Sequence, residues 1–378
     1  MKILCLQTSF NLLGGGARVD FEVLRALASQ GHEIRVLMPS FNRSRTSFPP
    51  GVTIRFINAR GLKIPQSLGL SYLPYLLCEI RKFQPDIIRD HSPYTFGVLS
   101  LMVKKLYNVP IVGCFHHPES GINNIITNYY ILRHYSHIVT VSRFSALRLA
   151  EIDNYLANNV SIIYNGIDLD VDFILKVEDK KQWRKSRGLP LSDPIFCTAG
   201  SMVPRKNHLF LIDLMSAWVA DGRPGVLVFV GDGEEKTSLI RAIKTKGLDE
   251  RIFLWGHTKQ EDYIRLLNSA AAFLFPSYME GFGLAPAEAL SCGVPALVSD
   301  RGALPEIVSD YKTGFILPID QGVYPWIQAM HQLIDNPELR ASMGQLAIID
   351  IQDRFNWNTV GLTTEALYKK IVADNKRD

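Results

Sequence analysis

Short apolar runs recur along the chain and alternate with segments in which apolar residues return every three or four positions. Ile3–Leu6 has the pattern of a buried strand. Ala17–Gln30 follows with helical spacing that sets Val19, Val23, Leu24 and Leu27 on one face. Gly31-His32 ends that helix, and Ile34–Leu37 opens the next strand. The alternation continues through Thr53–Ile57, Asp86–Arg89, Ile111–Cys114, Ile138–Val141 and Ser161–Tyr164. Uninterrupted apolar runs mark strands covered on both faces, and helical segments between them make parallel βαβ units.

The texture changes between Asp168 and Pro194, where acidic residues lead into Lys180-Lys181-Gln182-Trp183-Arg184-Lys185 and then Gly188, Pro190 and Pro194 punctuate the chain. A second alternating series follows: Ile195–Ala199, Val226–Val230, Ile252–Leu254, Ala271–Phe275, Ala296–Ser299 and Gly314–Leu317, with Trp357–Val372 as a closing helix. The pattern predicts an α/β protein of two Rossmann-like domains, 1–172 and 173–356, a division that 378 residues comfortably allow. A cleft is expected between them, with ligands beyond the carboxyl ends of the strands.

Composition adds a soluble, cored character, with 47% hydrophobic and 21% charged residues. The net charge of +4 is unevenly spread, because residues 1–150 hold 17 Lys and Arg against 7 Asp and Glu. Such a half suits an acidic acceptor, a phospholipid surface or nucleic acid, or is a solvated basic face. Nucleic acid is not supported, since no dense Lys/Arg stripe is interleaved with aromatics. Cys5, Cys78, Cys114, Cys197 and Cys292 are far apart, and most lie in apolar runs, which suggests reduced, buried thiols. No apolar stretch is long enough to span a membrane, and Met1–Leu6 reads as a first strand rather than a secretory leader.

The richest chemistry lies in Ser277–Leu290, which follows the strand Ala271–Phe275. Gly281 and Gly283 permit a tight turn, and Pro286 fits the first turn of a helix. The helix start turns free N–H groups toward the loop and makes an anion site. Glu280 stands just before the turn and Glu288 within the helix. Carboxylates beside a phosphate site suit sugar or ribose hydroxyls, so the ligand should carry both phosphates and hydroxyl-rich rings.

The spacing Glu280-x7-Glu288 within E-G-F-G-L-x-x-x-E-A resembles the signature of the retaining family-4 glycosyltransferases of GT-B fold. The resemblance runs through most of the chain. Gly14-Gly15-Gly16-Ala17 and Gly31-His32-Glu33 resemble the amino-terminal loop and turn, and Phe115-His116 the strand-end histidine. Val141-Ser142, Asn165-Gly166-Ile167-Asp168, Gly200–Asn207, Val230–Gly233 and Gly302–Ile307 are similar to later elements in the same order.

That resemblance implies a nucleotide-sugar substrate, UDP- or GDP-linked, and a role for each matching residue. Glu280 would hold donor-sugar hydroxyls and Glu288 the ribose, while the amides of Phe282, Gly283 and Leu284 meet the diphosphate. Arg205 and Lys206 would neutralise it, Gly15 and Gly16 would close over the reacting phosphate, and His116, rather than the adjacent His117, would reach the transferred sugar. Backbone near Trp255-Gly256-His257 would meet the base. The chain departs from the pattern at Ser201, where the family has Arg, so the cationic pair at the diphosphate is reduced unless Arg205 takes that place. The closing helix 357–378 would cross back to the first domain.

Competing motifs fit less well. Gly14-Gly15-Gly16 fails the dinucleotide fingerprint at Val19, and no acid ends the second strand to hold a ribose. Asp168-Leu169-Asp170 and Asp170-Val171-Asp172 spell D-x-D, a metal motif of other transferases, but at the domain junction they read as linker. The expectation is therefore a metal-independent hexosyltransferase with no cofactor, acting on a glycan or lipid-linked acceptor in cell-envelope synthesis. A cytoplasmic location with peripheral membrane contact is suggested by the apolar segment Leu62–Leu77 among Arg55, Arg60, Lys63, Arg81 and Lys82, residues that would otherwise pack on the first sheet. Two other readings stay open: a nucleotide-sugar binding or regulatory protein without turnover, and a phosphorylase or epimerase of the same fold.

Overall fold

The computed structural model describes residues 1–7, 15–40, 49–57, 68–91, 93–116, 132–151, 156, 158–167 and 177–376. The chain divides into two compact units, Met1–Gly166 with Phe355–Asp378, and Ile167–Arg354. The sequence pattern set these junctions at 172/173 and 356/357. The D-x-D residues 168–172, Gly14 and His117 lie outside the described residues.

Among the described residues of the first unit, seven parallel strands form one sheet: β1 Lys2–Leu6, β2 Glu33–Pro39, β3 Val52–Ile57, β4 Ile87–Asp90, β5 Ile111–Phe115, β6 His137–Thr140 and β7 Val160–Ile162. Their order is β3-β2-β1-β4-β5-β6-β7, so the winding direction reverses between β1 and β4, with Leu6 beside Asp90 in the ladder. The helix Gly15–Ser29 turns Val19, Val23, Leu24 and Leu27 inward, the face its spacing predicts. The core on one side of the sheet joins Leu4, Leu6 and Ile88 to Phe96, Leu99 and Tyr135. The helix Leu68–Phe83 takes in the second part of the apolar segment Leu62–Leu77 and buries Tyr72 and Leu76 of it, with Ile80 and Phe83 beyond, in that core. Tyr75 stays exposed, and residues 58–67, Arg60 and Lys63 among them, lie outside the described residues.

Among the described residues of the second unit, six parallel strands repeat the plan: β8 Ile195–Ala199, β9 Val226–Val230, β10 Ile252–Leu254, β11 Ala272–Phe275, β12 Ala296–Ser299 and β13 Gly314–Leu317. Their order is β10-β9-β8-β11-β12-β13, with the reversal between β8 and β11. Phe196, Trp218, Phe229, Leu274 and Trp326 belong to its core, each buried side chain contributing roughly 2–3 kcal/mol. The final helix Trp357–Asn375 packs on Gly15–Ser29 of the first unit, burying Val360, Thr364, Tyr368 and Ile371.

Cys5, Cys114 and Cys197 are buried free thiols, while Cys78 is exposed and Cys292 intermediate. Among the described residues no helix is long and apolar enough to cross a membrane.

Candidate active site

In a doubly wound sheet, the strands that diverge at the reversal leave a crevice at their carboxyl ends, where loops can converge on a ligand. In the second unit those loops follow β8 and β11. Gly200–Asn207 leaves β8 and tightens into a single helical turn over Pro204–Lys206. Pro276–Gly283 leaves β11 and enters the helix Leu284–Ser291. Backbone bonds tie the loops together: the Tyr278 N–H donates to the Arg205 carbonyl at 2.8 Å.

Three predicted residues meet here. Glu280, 5% exposed, directs Oε1 toward Lys206 Nζ at 2.6 Å and accepts from Arg205 Nη1 at 2.9 Å. Ser277 donates its hydroxyl to the same oxygen at 2.8 Å. Arg205 also donates to the Met279 carbonyl at 3.1 Å, and the Lys206 ammonium lies 4.4 Å over the Phe275 ring. Burial alone would raise the Glu280 carboxyl, but the Lys206 and Arg205 charges outweigh it and hold the group below its ordinary value. Burial lowers the Lys206 ammonium, with Arg205 adding to that and Glu280 opposing it. Two cations share one carboxylate, so the cluster keeps a surplus positive charge. Ser201 is exposed and contributes no charge, and Arg205 turns to Glu280.

The turn itself depends on two glycines. Gly283 caps the helix at φ 108°, and a β-carbon there would come within 2.9 Å of Leu304. Gly302, at φ 61°, lies so close to Glu280 that a β-carbon would be 2.6 Å from the Glu280 nitrogen. The segment Gly302–Ile307 is thereby a backing for the E-G-F-G turn, and Ala303 N–H donates to the Glu280 carbonyl at 3.0 Å. Phe282 is buried, and the first amides of the helix at Leu284 face the turn as helix starts must.

Glu288 stands further along the same helix, half-buried. Burial, and then the Glu288 carboxylate beside it, push the Tyr263 phenol well above its ordinary value. Gly256 bridges to Gly231, whose N–H donates to its carbonyl at 2.8 Å, and His257 follows near Asp232.

Gly15, Gly16 and His116 belong to the first unit. Gly15 and Gly16 begin its first helix, and the place of a Gly16 β-carbon is 3.9 Å from His91 Nε2 and 4.0 Å from His116 Cγ. His116 follows β5 and lies 3.3 Å, Nε2 to Nδ1, from His91. His91, Asp20 and Arg89 carry no motif, so the sequence reading missed them. The available signal was the charged run Arg89-Asp90-His91 at the end of a buried strand, together with Asp20 beside apolar Val19 on the inner helix face.

Residues 179–349 match the family described as glycosyl transferases group 1, and residues 13–171 match glycosyltransferase family 4. The chain belongs to glycosyltransferase family 4. A relative of this glycosyltransferase, N-acetyl-alpha-D-glucosaminyl L-malate synthase of Bacillus anthracis, is 24% identical over 100% of this chain and 99% of its own. Sucrose-phosphate synthase from Thermosynechococcus elongatus shares the fold with a TM-score of 0.85 at 19% identity, over 99% of this chain and 100% of the other. Anabaena HepE in complex with UDP and glucose does so with a TM-score of 0.81 at 18% identity, over 98% and 99%. The glycosyltransferase therefore has the GT-B fold.

Proposed function

We propose that the protein is a retaining glycosyltransferase that moves a sugar from a UDP- or GDP-linked donor to an acceptor hydroxyl, and that its second unit binds the donor. The observation that carries this reading is the pair Arg205 and Lys206 on one buried carboxylate, beside a helix start. The leaving nucleoside diphosphate gains negative charge as the glycosidic bond breaks. A preorganised surplus of positive charge and helix amides stabilises that change most. Glu280 is assigned to donor-sugar hydroxyls and Glu288 to the ribose. HepE with bound UDP and glucose favours UDP among the nucleotides. In the front-face course, the acceptor oxygen bonds to the anomeric carbon on the face the phosphate leaves, and a phosphate oxygen takes the acceptor proton.

The acceptor we assign is anionic, with a place in cell-envelope glycan or glycolipid synthesis. The first 150 residues carry the excess of Lys and Arg. The name of the Bacillus relative also includes a small anion, L-malate. Loose peripheral contact with an anionic membrane would draw on Arg81 and Lys82 of the helix that exposes Tyr75, and on the basic pocket of Lys104, Lys105, Arg133 and His134.

The test is acceptor-dependent release of nucleoside diphosphate from UDP- and GDP-sugars, with product anomers read by NMR. Release only with acceptor, with the anomeric configuration kept, is expected. Binding without turnover would turn the reading toward a regulatory protein, and transfer to free phosphate toward a phosphorylase. Cationic side chains and amides serve the diphosphate, so activity should survive excess EDTA. Loss in EDTA with recovery in Mg²⁺ or Mn²⁺ would bring the D-x-D segment back into play.

A further inference from the structure

The first unit holds a buried polar chain that leads to His116 from behind. Asp20 is fully buried on the inner face of the helix Gly15–Ser29. Its Oδ1 accepts from Arg89 Nε at 2.7 Å and lies 3.2 Å from His91 Nδ1, and its Oδ2 accepts from Gln7 Nε2 at 2.8 Å. Arg89 is held on its other side by the Tyr368 hydroxyl at 2.7 Å. His91 Nδ1 is also the atom 3.3 Å from His116 Nε2, and the two rings lie 4.6 Å apart between centroids with planes tilted by 48°.

Proton placement follows from these contacts. Burial would raise the Asp20 carboxyl, but His91 and Arg89 outweigh it and hold it well below the usual carboxylate range, so the group is an acceptor only. His91 Nδ1 must then carry a proton, whether that ring is neutral or cationic. A shared N–H of this kind can serve two acceptors, Asp20 and His116 Nε2. The reverse arrangement, with His116 Nε2–H donating to a bare His91 Nδ1, would set a lone pair against the carboxylate.

We propose that Asp20 and His91 are positioning residues that hold His116 as its Nδ1-protonated tautomer, with the ring fixed beside Gly16. His116 then meets its ligand with one proton in one direction and does not act as a base through Nδ1. The consequence for catalysis rests on the reading that His116 reaches the transferred sugar.

The experiment is long-range proton–nitrogen NMR of the full chain labelled with ¹⁵N-histidine, with His116 assigned by its loss in His116→Gln. The wild type should show His116 with a protonated Nδ1 and a bare Nε2. His91→Leu should abolish that preference. His91→Asn, whose amide nitrogen occupies the place of Nδ1, should restore it, which a purely structural role would not require. Asp20→Asn serves as a second route where it folds. An Nε2-protonated His116 in the wild type overturns the proposal, as does an unchanged tautomer in His91→Leu. Should His91→Leu fail to fold, the wild-type tautomer still decides. A protein with the expected tautomer but no turnover of UDP-glucose or GDP-mannose would sink the functional reading alone. An active protein with the other tautomer would sink this proposal alone.

Discussion

The two units share one winding and load its reversal point differently. In the second, the loops after β8 and β11 bring two cations to one carboxylate and leave positive charge over, with Arg205 partly exposed. In the first, the segments beside β1 and β4 surround Asp20 with one guanidinium and one imidazole, all buried or nearly so. The fold supplies a crevice in both cases, and the residues at the strand ends decide what it suits. A surplus of positive charge suits a diphosphate. A buried carboxylate ringed by hydrogen-bond donors suits the fixing of a neighbouring side chain, here His116 through His91.

The largest effect should come from unbalancing the second site. Glu280→Ala leaves the buried Lys206 without its counter-charge, and breaking such a pair costs about 3–5 kcal/mol of stability. Chemical denaturation should show that loss, with Glu280→Ala/Lys206→Met recovering part of it, and turnover should fall. A cost under about 1 kcal/mol would mean the pair does not hold these loops.

Asp20→Asn asks the same of the first site. About 3 kcal/mol should be lost at neutral pH. The folded-state value of Asp20 is depressed, so its contribution is complete above the ordinary carboxylate value near about 4 and fades as pH falls below it. Wild-type stability should therefore drop more steeply than that of Asp20→Asn in acid, and the two curves should converge. Parallel curves would contradict an ionised Asp20. A smaller effect is expected for Glu288→Ala, which should weaken nucleotide binding by roughly 1.5–3 kcal/mol through one lost carboxylate–hydroxyl bond. Calorimetry that finds equal affinity would remove Glu288 from the ribose.

The two sites also differ in how far the sequence revealed them. Central strands such as β1, β5, β8, β9, β11 and β12 were legible because parallel strands buried on both faces need continuous apolar residues, while the edge strands β3 and β7 are only partly buried and carry polar residues. Arg205, Lys206 and Glu280 were legible because the loops that carry them keep a recognisable local pattern. Their mutual pairing was not, since it depends on two loops meeting from neighbouring strands far apart in sequence. The same reason hid the Asp20 network. Arg89 faces Asp20 only because β4 lies beside β1, with Cys5 and Arg89 as ladder partners, and because Tyr368 returns from the final helix.

The central claim is that the second unit's reversal point binds the nucleoside diphosphate. Its most direct test is titration calorimetry of UDP and GDP into the wild type, Arg205→Ala and His116→Ala. The account predicts binding of at least one nucleotide to the wild type, a loss of about tenfold or more in Arg205→Ala, and affinity close to wild type in His116→Ala. Unchanged binding in Arg205→Ala, with the loss appearing in His116→Ala instead, would contradict it.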